Sequence, residues 1–98
     1  PIWEGSKAYF LLRANDNYGA QKIAKEVLKS DPTDYIARVN LAIALKRLGR
    51  HRDMEKELLI LEKQVIKEDV RAGIAALRRD KPNMLLFLRK ALGRNLLL

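Results

Sequence analysis

Apolar side chains recur at intervals of three and four residues along most of this chain, with polar residues between them. The clearest segment carries Ala20, Ile23, Ala24, Val27 and Leu28. This spacing places the apolar positions on one side of an α-helix, where they can pack against a neighbouring element. No segment shows the two-residue alternation of a half-buried strand. The pattern therefore predicts an all-α protein of six helices in three antiparallel pairs.

Residues that end or cap helices divide the pattern into these six segments. The first helix is predicted over about residues 5–14 and ends at Asn15-Asp16-Asn17, whose side chains compete for backbone groups and cap the next helix. Pro32 and Gly49 end the second and third helices, because proline disfavours helix at the residue before it and glycine accepts left-handed geometry. The fourth helix is predicted over about residues 52–64. Asp80-Lys81-Pro82-Asn83 separates the last two helices.

The first two predicted pairs are related by a shift of about 34 residues without a gap. The shift superposes apolar or small residues on each other and also superposes Arg13 on Arg47. The third pair fits when Met84 is placed on Met54, which requires a shift of about 30 residues. Between the first two pairs, the shift of about 34 residues also superposes Ala8 on Ala42, Leu11 on Leu45, Val27 on Leu61 and Lys29 on Lys63. The chain therefore divides into units of about 1–33, 34–66 and 67–98, which we expect to form one domain.

In this register the chain resembles the tetratricopeptide repeat family. The second unit matches best, through small and large packing residues in the family's order. These residues are Leu41-Ala42, Leu45, Leu48-Gly49, Met54, Leu58 and Leu61. The first unit matches through Ala8, Leu11, Ala20, Val27 and Pro32. The resemblance implies a short right-handed superhelix of stacked helix-turn-helix units.

The resemblance also implies a function, because such repeats bind peptides or helices in a concave groove lined by the first helix of each pair. An apolar floor with basic side chains along it suits an amphipathic or acidic peptide. We therefore expect a non-enzymatic scaffold for protein–protein interaction. The groove residues implied for this chain are Tyr9, Arg13, Val39, Asn40, Ile43, Lys46, Arg47, Ile74 and Arg78.

Composition narrows the chemistry further. The chain has no Cys and one His, His51, and no nucleophile with a partner base, so it offers no recognisable catalytic or metal site. We expect no cofactor. No apolar run approaches the roughly 20 residues that cross a bilayer, and no signal peptide is recognisable at the start. These observations predict a soluble, cytoplasmic protein, and the start without Met suggests a piece of a longer chain.

The formal net charge of +8 is unevenly distributed and supports a second hypothesis. Residues 67–98 hold eight Lys and Arg against three Asp and Glu, and so contribute +5. The segment Lys46-Arg47-Leu48-Gly49-Arg50-His51-Arg52 adds a local cluster of cations. Such patches can bind phosphates, with affinity that falls as salt increases. The chain could therefore be a basic helical module for nucleic acid or an anionic surface.

The apolar C-terminal sequence Asn95-Leu96-Leu97-Leu98 supports a third hypothesis. Terminal repeats usually present a polar outer face, so exposed leucines and Phe87 would favour contact with a neighbouring repeat or a second copy. In this interpretation the chain is a stacking unit of a larger assembly.

Overall fold

A computed structural model shows an all-helical chain. It describes the backbone of residues 2–64 and 67–96, and the side chains of residues 7–64, 67–83, 85–86 and 88–90. Within these ranges there is no strand. The helices are α1 (Ile2–Arg13), α2 (Asn17–Ser30), α3 (Tyr35–Arg47), α4 (His51–Lys63), α5 (Glu68–Leu77) and α6 (Lys81–Leu96). The prediction of six helices is confirmed, although α1 begins three residues before the predicted Gly5 and α4 begins and ends one residue early.

The loops that follow α1, α3 and α5 have the same backbone geometry. Each contains one residue in the left-handed region: Asn15 with φ 62°, Gly49 with φ 76° and Arg79 with φ 59°. The N–H of the next residue donates to a carbonyl five residues back, which satisfies a terminal carbonyl of the helix. These bonds join Asp16 to Leu11 at 2.9 Å, Arg50 to Leu45 at 2.8 Å and Asp80 to Ala75 at 2.7 Å. The left-handed positions are separated by 34 and 30 residues, the two shifts found in the sequence.

This geometry predicts opposite effects for the same glycine-to-alanine change at two positions. Gly49→Ala should lower the free energy of unfolding by about 1 kcal/mol, because alanine is strained at positive φ. Gly73→Ala should raise it by about 0.5–1 kcal/mol, because Gly73 is helical and an added Cβ would have no heavy atom within 4 Å. Arg79→Gly should also stabilise, since Arg79 already has positive φ. Urea titration followed by far-UV circular dichroism measures all three, and a destabilised Gly73→Ala variant would contradict this explanation.

Aspartates cap α2, α3 and α6 at their N-terminal ends. The Asp16 carboxylate accepts the Gly19 N–H at 2.9 Å, and the Asp80 carboxylate accepts the Asn83 N–H at 3.3 Å. A Cβ on Gly19 would lie 2.3 Å from an Asp16 carboxylate oxygen, so this cap requires glycine at that position. Asp34 caps α3, and its carboxylate accepts the Ala37 N–H at 3.1 Å.

Residues Pro1–Leu61 form one compact unit and residues Glu62–Leu98 a second. In the first unit, α1 packs against α2 and α3, and α2 packs against α3. Residues 34 positions apart are both buried in two of the superposed pairs, Ala8 and Ala42, and Val27 and Leu61. In the second unit, α5 packs against α6, and Ala72, Ile74 and Ala75 are buried.

One buried ion pair joins α3 to α4 in the first unit. The Arg38 guanidinium donates to both carboxylate oxygens of Glu57, at 3.1 and 3.0 Å, and to the Pro32 carbonyl at 2.9 Å. The two side chains are only 10% and 16% exposed. This arrangement fixes α3 relative to α4 and to the loop before α3, because a bidentate guanidinium–carboxylate pair has a defined geometry.

Candidate functional site

Helices α1 and α3 lie side by side with their C-terminal ends together. Arg47, in the last turn of α3, donates from Nη1 to the carbonyl of Leu12 in the last turn of α1, at 2.7 Å. Ile43, one turn earlier in α3, packs against a buried cluster of Leu12, Ala20 and Ala44. The two helices, which pack against each other, therefore run in the same direction.

Exposed and half-buried apolar side chains form a stripe on this pair of helices. On α3, Ile36 is 39% exposed, and Val39 and Ile43 are half-buried. They share one face because they follow the spacing of three and four residues. On α1, Tyr9 is 48% exposed and lies one turn before Leu12. Apolar surface on two parallel helices can receive the side chains of another helix or peptide.

Tyr9 also positions a cation beside the stripe. The Arg13 guanidinium donates to the Tyr9 hydroxyl at 3.3 Å, and its Cζ lies 5.9 Å from the centre of the Tyr9 ring. The hydrogen bond from Arg13 to Tyr9 raises the pKa of Arg13 above its ordinary value, so this side chain remains charged. The neighbouring Phe10 ring meets Tyr9 edge to face with centroids 6.1 Å apart. Two aromatic rings and one fixed cation therefore lie together on α1.

The basic residues of α3 extend this cationic end. Lys46 is half-buried and Arg47 is exposed, and both lie in the last turn of the helix. We call the set of Tyr9, Arg13, Ile36, Val39, Ile43 and Lys46 the α1–α3 surface. Along the two helices this surface presents mainly apolar side chains, and in their last turns it presents positively charged ones.

Four of the predicted site residues, Asn40, Arg47, Ile74 and Arg78, are not part of the α1–α3 surface. Asn40 is buried, and it has an interaction with another group, so it does not present its amide to solvent. Ile74 and Arg78 belong to the second compact unit, where they line a separate cavity. Arg47 is at the end of the α1–α3 surface, but its guanidinium binds the Leu12 carbonyl and thereby holds the two helices together.

The basic segment 46–52 is divided between internal contacts and solvent. Arg47 binds the Leu12 carbonyl, as described above. With the Gln21 amide turned so that its oxygen faces the two donors, it accepts from Arg50 Nη1 at 3.1 Å and from Lys25 Nζ at 3.0 Å. His51 and Arg52 are exposed. Part of this cation cluster therefore stabilises the first unit.

The predictions about the C-terminal leucines and Phe87 concern side chains outside the described residues. Within the described part of α6, Leu85 and Leu86 are 46% and 47% exposed. No helix in the described ranges is long and apolar enough to cross a membrane. The same ranges contain no group of three or more His, Cys, Asp or Glu side chains that could hold a metal ion.

Sequence reasoning missed Ile36 and Arg38. Ile36 could have been found, because it precedes Val39 by three residues and continues the same apolar face. Arg38 had only an indirect signal, a charged residue among the inward-facing positions Ala37 and Leu41. Its partner Glu57 is 19 residues away on another helix, so no local pattern identifies the pair.

Comparisons with protein-family models, curated proteins and solved structures find no match to this chain. A function must therefore be inferred from the geometry of the chain itself.

Proposed function

We propose that this protein is a non-enzymatic helical scaffold that binds an amphipathic, acidic peptide or helix on the α1–α3 surface. The observation that carries the proposal is the stripe of Tyr9, Ile36, Val39 and Ile43 on two helices in contact, whose last turns carry Arg13 and Lys46. Apolar side chains of a partner would contact the stripe, and its carboxylates would lie at the cationic end.

Three features of the fold support the proposal that this surface is part of a tetratricopeptide-like repeat array. The loops after α1, α3 and α5 share one hydrogen-bonding pattern and one left-handed position. Helix α1 packs against both α2 and α3, which is how stacked helical hairpins contact each other. The small residues Ala8 and Ala42, at equivalent positions, are both fully buried. In such arrays the first helices of successive pairs form the binding face.

The ligand's charge follows from the electrostatics of this face. The C-terminal ends of two parallel helices meet there, and their partial negative charges are offset by Arg13, Lys46 and Arg47. Arg13 stacks on Tyr9 and is exposed, so its guanidinium can bind a carboxylate while keeping its ring contact. An acidic residue beside a hydrophobic anchor fits this arrangement.

A peptide-display selection against the purified protein tests the proposal. Selected peptides should combine aliphatic or aromatic residues at intervals of three or four with Asp or Glu nearby. The double variant Tyr9→Ala/Ile36→Ala should bind a selected peptide about tenfold more weakly, since two exposed apolar contacts are removed. Fluorescence anisotropy with the labelled peptide measures the change.

Tyr18→Ala is the matched control, because Tyr18 is an exposed tyrosine on α2, outside the α1–α3 surface. The affinity of the Tyr18→Ala variant for the selected peptide should stay within about twofold of that of the unsubstituted protein. Equal losses in the control and the double variant would refute the assignment of the surface. The hypothesis of a basic nucleic-acid module would be favoured by a different pair of results. The selection would yield no acidic peptide, and a labelled single-stranded oligonucleotide would bind with an affinity that falls as salt increases.

A further inference from the structure

The second compact unit contains a cavity of about 300 Å³ that the α1–α3 surface does not include. Most of its wall comes from one face of α5, through Arg71, Ile74 and Ala75, and from Arg78, the residue that caps the end of this helix. The other lining residues are Glu62 near the end of α4, Asp80 before α6, and Asn83 in the first turn of α6. A cavity of this size is at the lower limit of small-ligand sites.

The cavity has an apolar floor, and a positively charged arginine flanks the floor residues in sequence on either side. Ile74 and Ala75 are each only 5% exposed and lie between the two arginines in the sequence. Arg71 and Arg78 are seven residues apart on the same helix face, which corresponds to roughly 10 Å along the helix axis. A short peptide segment could lay an aliphatic side chain on the floor and direct carboxylates to the arginines.

The two acidic residues of the wall differ in how firmly they are held. Asp80 accepts from the Asn83 side-chain amide at 2.7 Å and from its backbone N–H, so it is needed as the cap of α6. Glu62 forms an ion pair with Arg78, and the two side chains are 45% and 27% exposed. An ion pair this accessible to water contributes little to stability. Glu62 can therefore leave Arg78 at small cost when another carboxylate arrives.

We propose that this cavity binds a carboxylate of an acidic peptide through Arg71 and Arg78, and that Glu62 is an internal competitor for Arg78. Both arginines have partners in the ligand-free protein, so binding exchanges one partner for another. The carboxylate can come from an Asp or Glu side chain or from a peptide C-terminus. The site goes beyond the α1–α3 surface and does not depend on it.

The test uses three fluorescein-labelled peptides, each with two central leucines. The first has a glutamate on either side and an amidated C-terminus, the second has glutamines in those places and an amide, and the third has glutamines and a free C-terminal carboxylate. Fluorescence anisotropy at low salt measures their affinities for the full chain. Tighter binding of the first peptide than of the second identifies a side-chain carboxylate, and tighter binding of the third identifies a C-terminus.

Substitutions then distinguish this site from general charge effects. Arg71→Gln and Arg78→Gln should each weaken binding of the preferred peptide about fivefold, the expected loss of one charge-assisted contact near solvent. Glu62→Gln should strengthen it about threefold, because the competing carboxylate is gone. Asp53→Asn is the matched control, since it makes the same change in net charge at an exposed residue that does not line the cavity.

Several outcomes would overturn the proposal. Equal affinity gains in Glu62→Gln and Asp53→Asn would show an effect of net charge alone. If the Arg71→Gln variant is folded, as judged by circular dichroism, and binds the preferred peptide with unchanged affinity, the arginine pair is not the binding site. A loss in Tyr9→Ala/Ile36→Ala, with both arginine variants unaffected, would place the peptide on the α1–α3 surface and reject the cavity. Equal binding of all three peptides would exclude carboxylate recognition.

Discussion

Replacing Arg38 with methionine is expected to lower the free energy of unfolding by about 2–4 kcal/mol. The change removes the bidentate contact to Glu57 and the hydrogen bond to the Pro32 carbonyl. It leaves the Glu57 carboxylate, only 16% exposed, without the guanidinium that offsets its burial. Loss of one partner of a buried ion pair is costly because the remaining charge is poorly hydrated. Urea denaturation followed at 222 nm measures the loss.

A double-mutant cycle with Glu57→Met separates the pair from its surroundings. The variant Arg38→Met/Glu57→Met should be more stable than Arg38→Met alone, since no uncompensated charge remains and the new side chains are apolar. If the two single losses simply add in the double variant, the pair does not act as a unit. An Arg38→Met variant as stable as the original chain would contradict the structural role assigned to this arginine.

Replacing Leu58 with alanine is expected to cost about 3–4 kcal/mol of unfolding free energy. Leu58 is fully buried and is one of the largest side chains with almost no exposure in the described part of the chain. Truncation removes its apolar contacts and leaves a cavity that rigid helices fill only in part. A domain has roughly 5–15 kcal/mol of net stability, so this loss removes a large share of it and should lower the melting temperature clearly. Thermal melting by circular dichroism measures this effect.

The adjacent Leu59 provides a matched control on the same helix. Its side chain is 50% exposed, so Leu59→Ala should change the free energy of unfolding by less than about 0.5 kcal/mol. A comparable loss in both variants would mean that Leu59 is also covered in solution. That outcome would indicate an interface on this face of α4.

These stability predictions bear directly on the proposed function. The α1–α3 surface exists only while α3 is held against α1 and α4, by the Arg47 bond to Leu12 and by the Arg38–Glu57 pair. Arg47 is therefore a poor choice for testing ligand contact, because its substitution would disturb the position of both helices. Tyr9 and Ile36 are better choices because they are exposed, and the hydrogen bond that Tyr9 accepts from Arg13 lies within α1 and does not join two helices.

The helices and their ends could be predicted because their causes are local. The spacing of Ala20, Ala24 and Val27 and the capping by Asp16 or Asp34 act within a few residues. The predicted start of α1 was wrong by three residues, because no Ser, Thr, Asp or Asn precedes Gly5 to mark an N-cap. The shift from 34 to 30 residues in the third unit was also visible in the sequence, and the left-handed positions 15, 49 and 79 show the same two spacings.

The helical character of the chain, the positions of most turns and the inward-facing apolar residues follow from periodicity and short-range hydrogen bonding, so they can be read from the sequence. The partners of Arg38, Arg47 and Arg78 depend instead on how the helices pack. Arg47 meets a carbonyl 35 residues earlier, Arg38 meets Glu57 19 residues later, and Arg78 pairs with Glu62 from another helix. A cation's partner depends on which helices pack together, and that packing brings distant residues within hydrogen-bonding range.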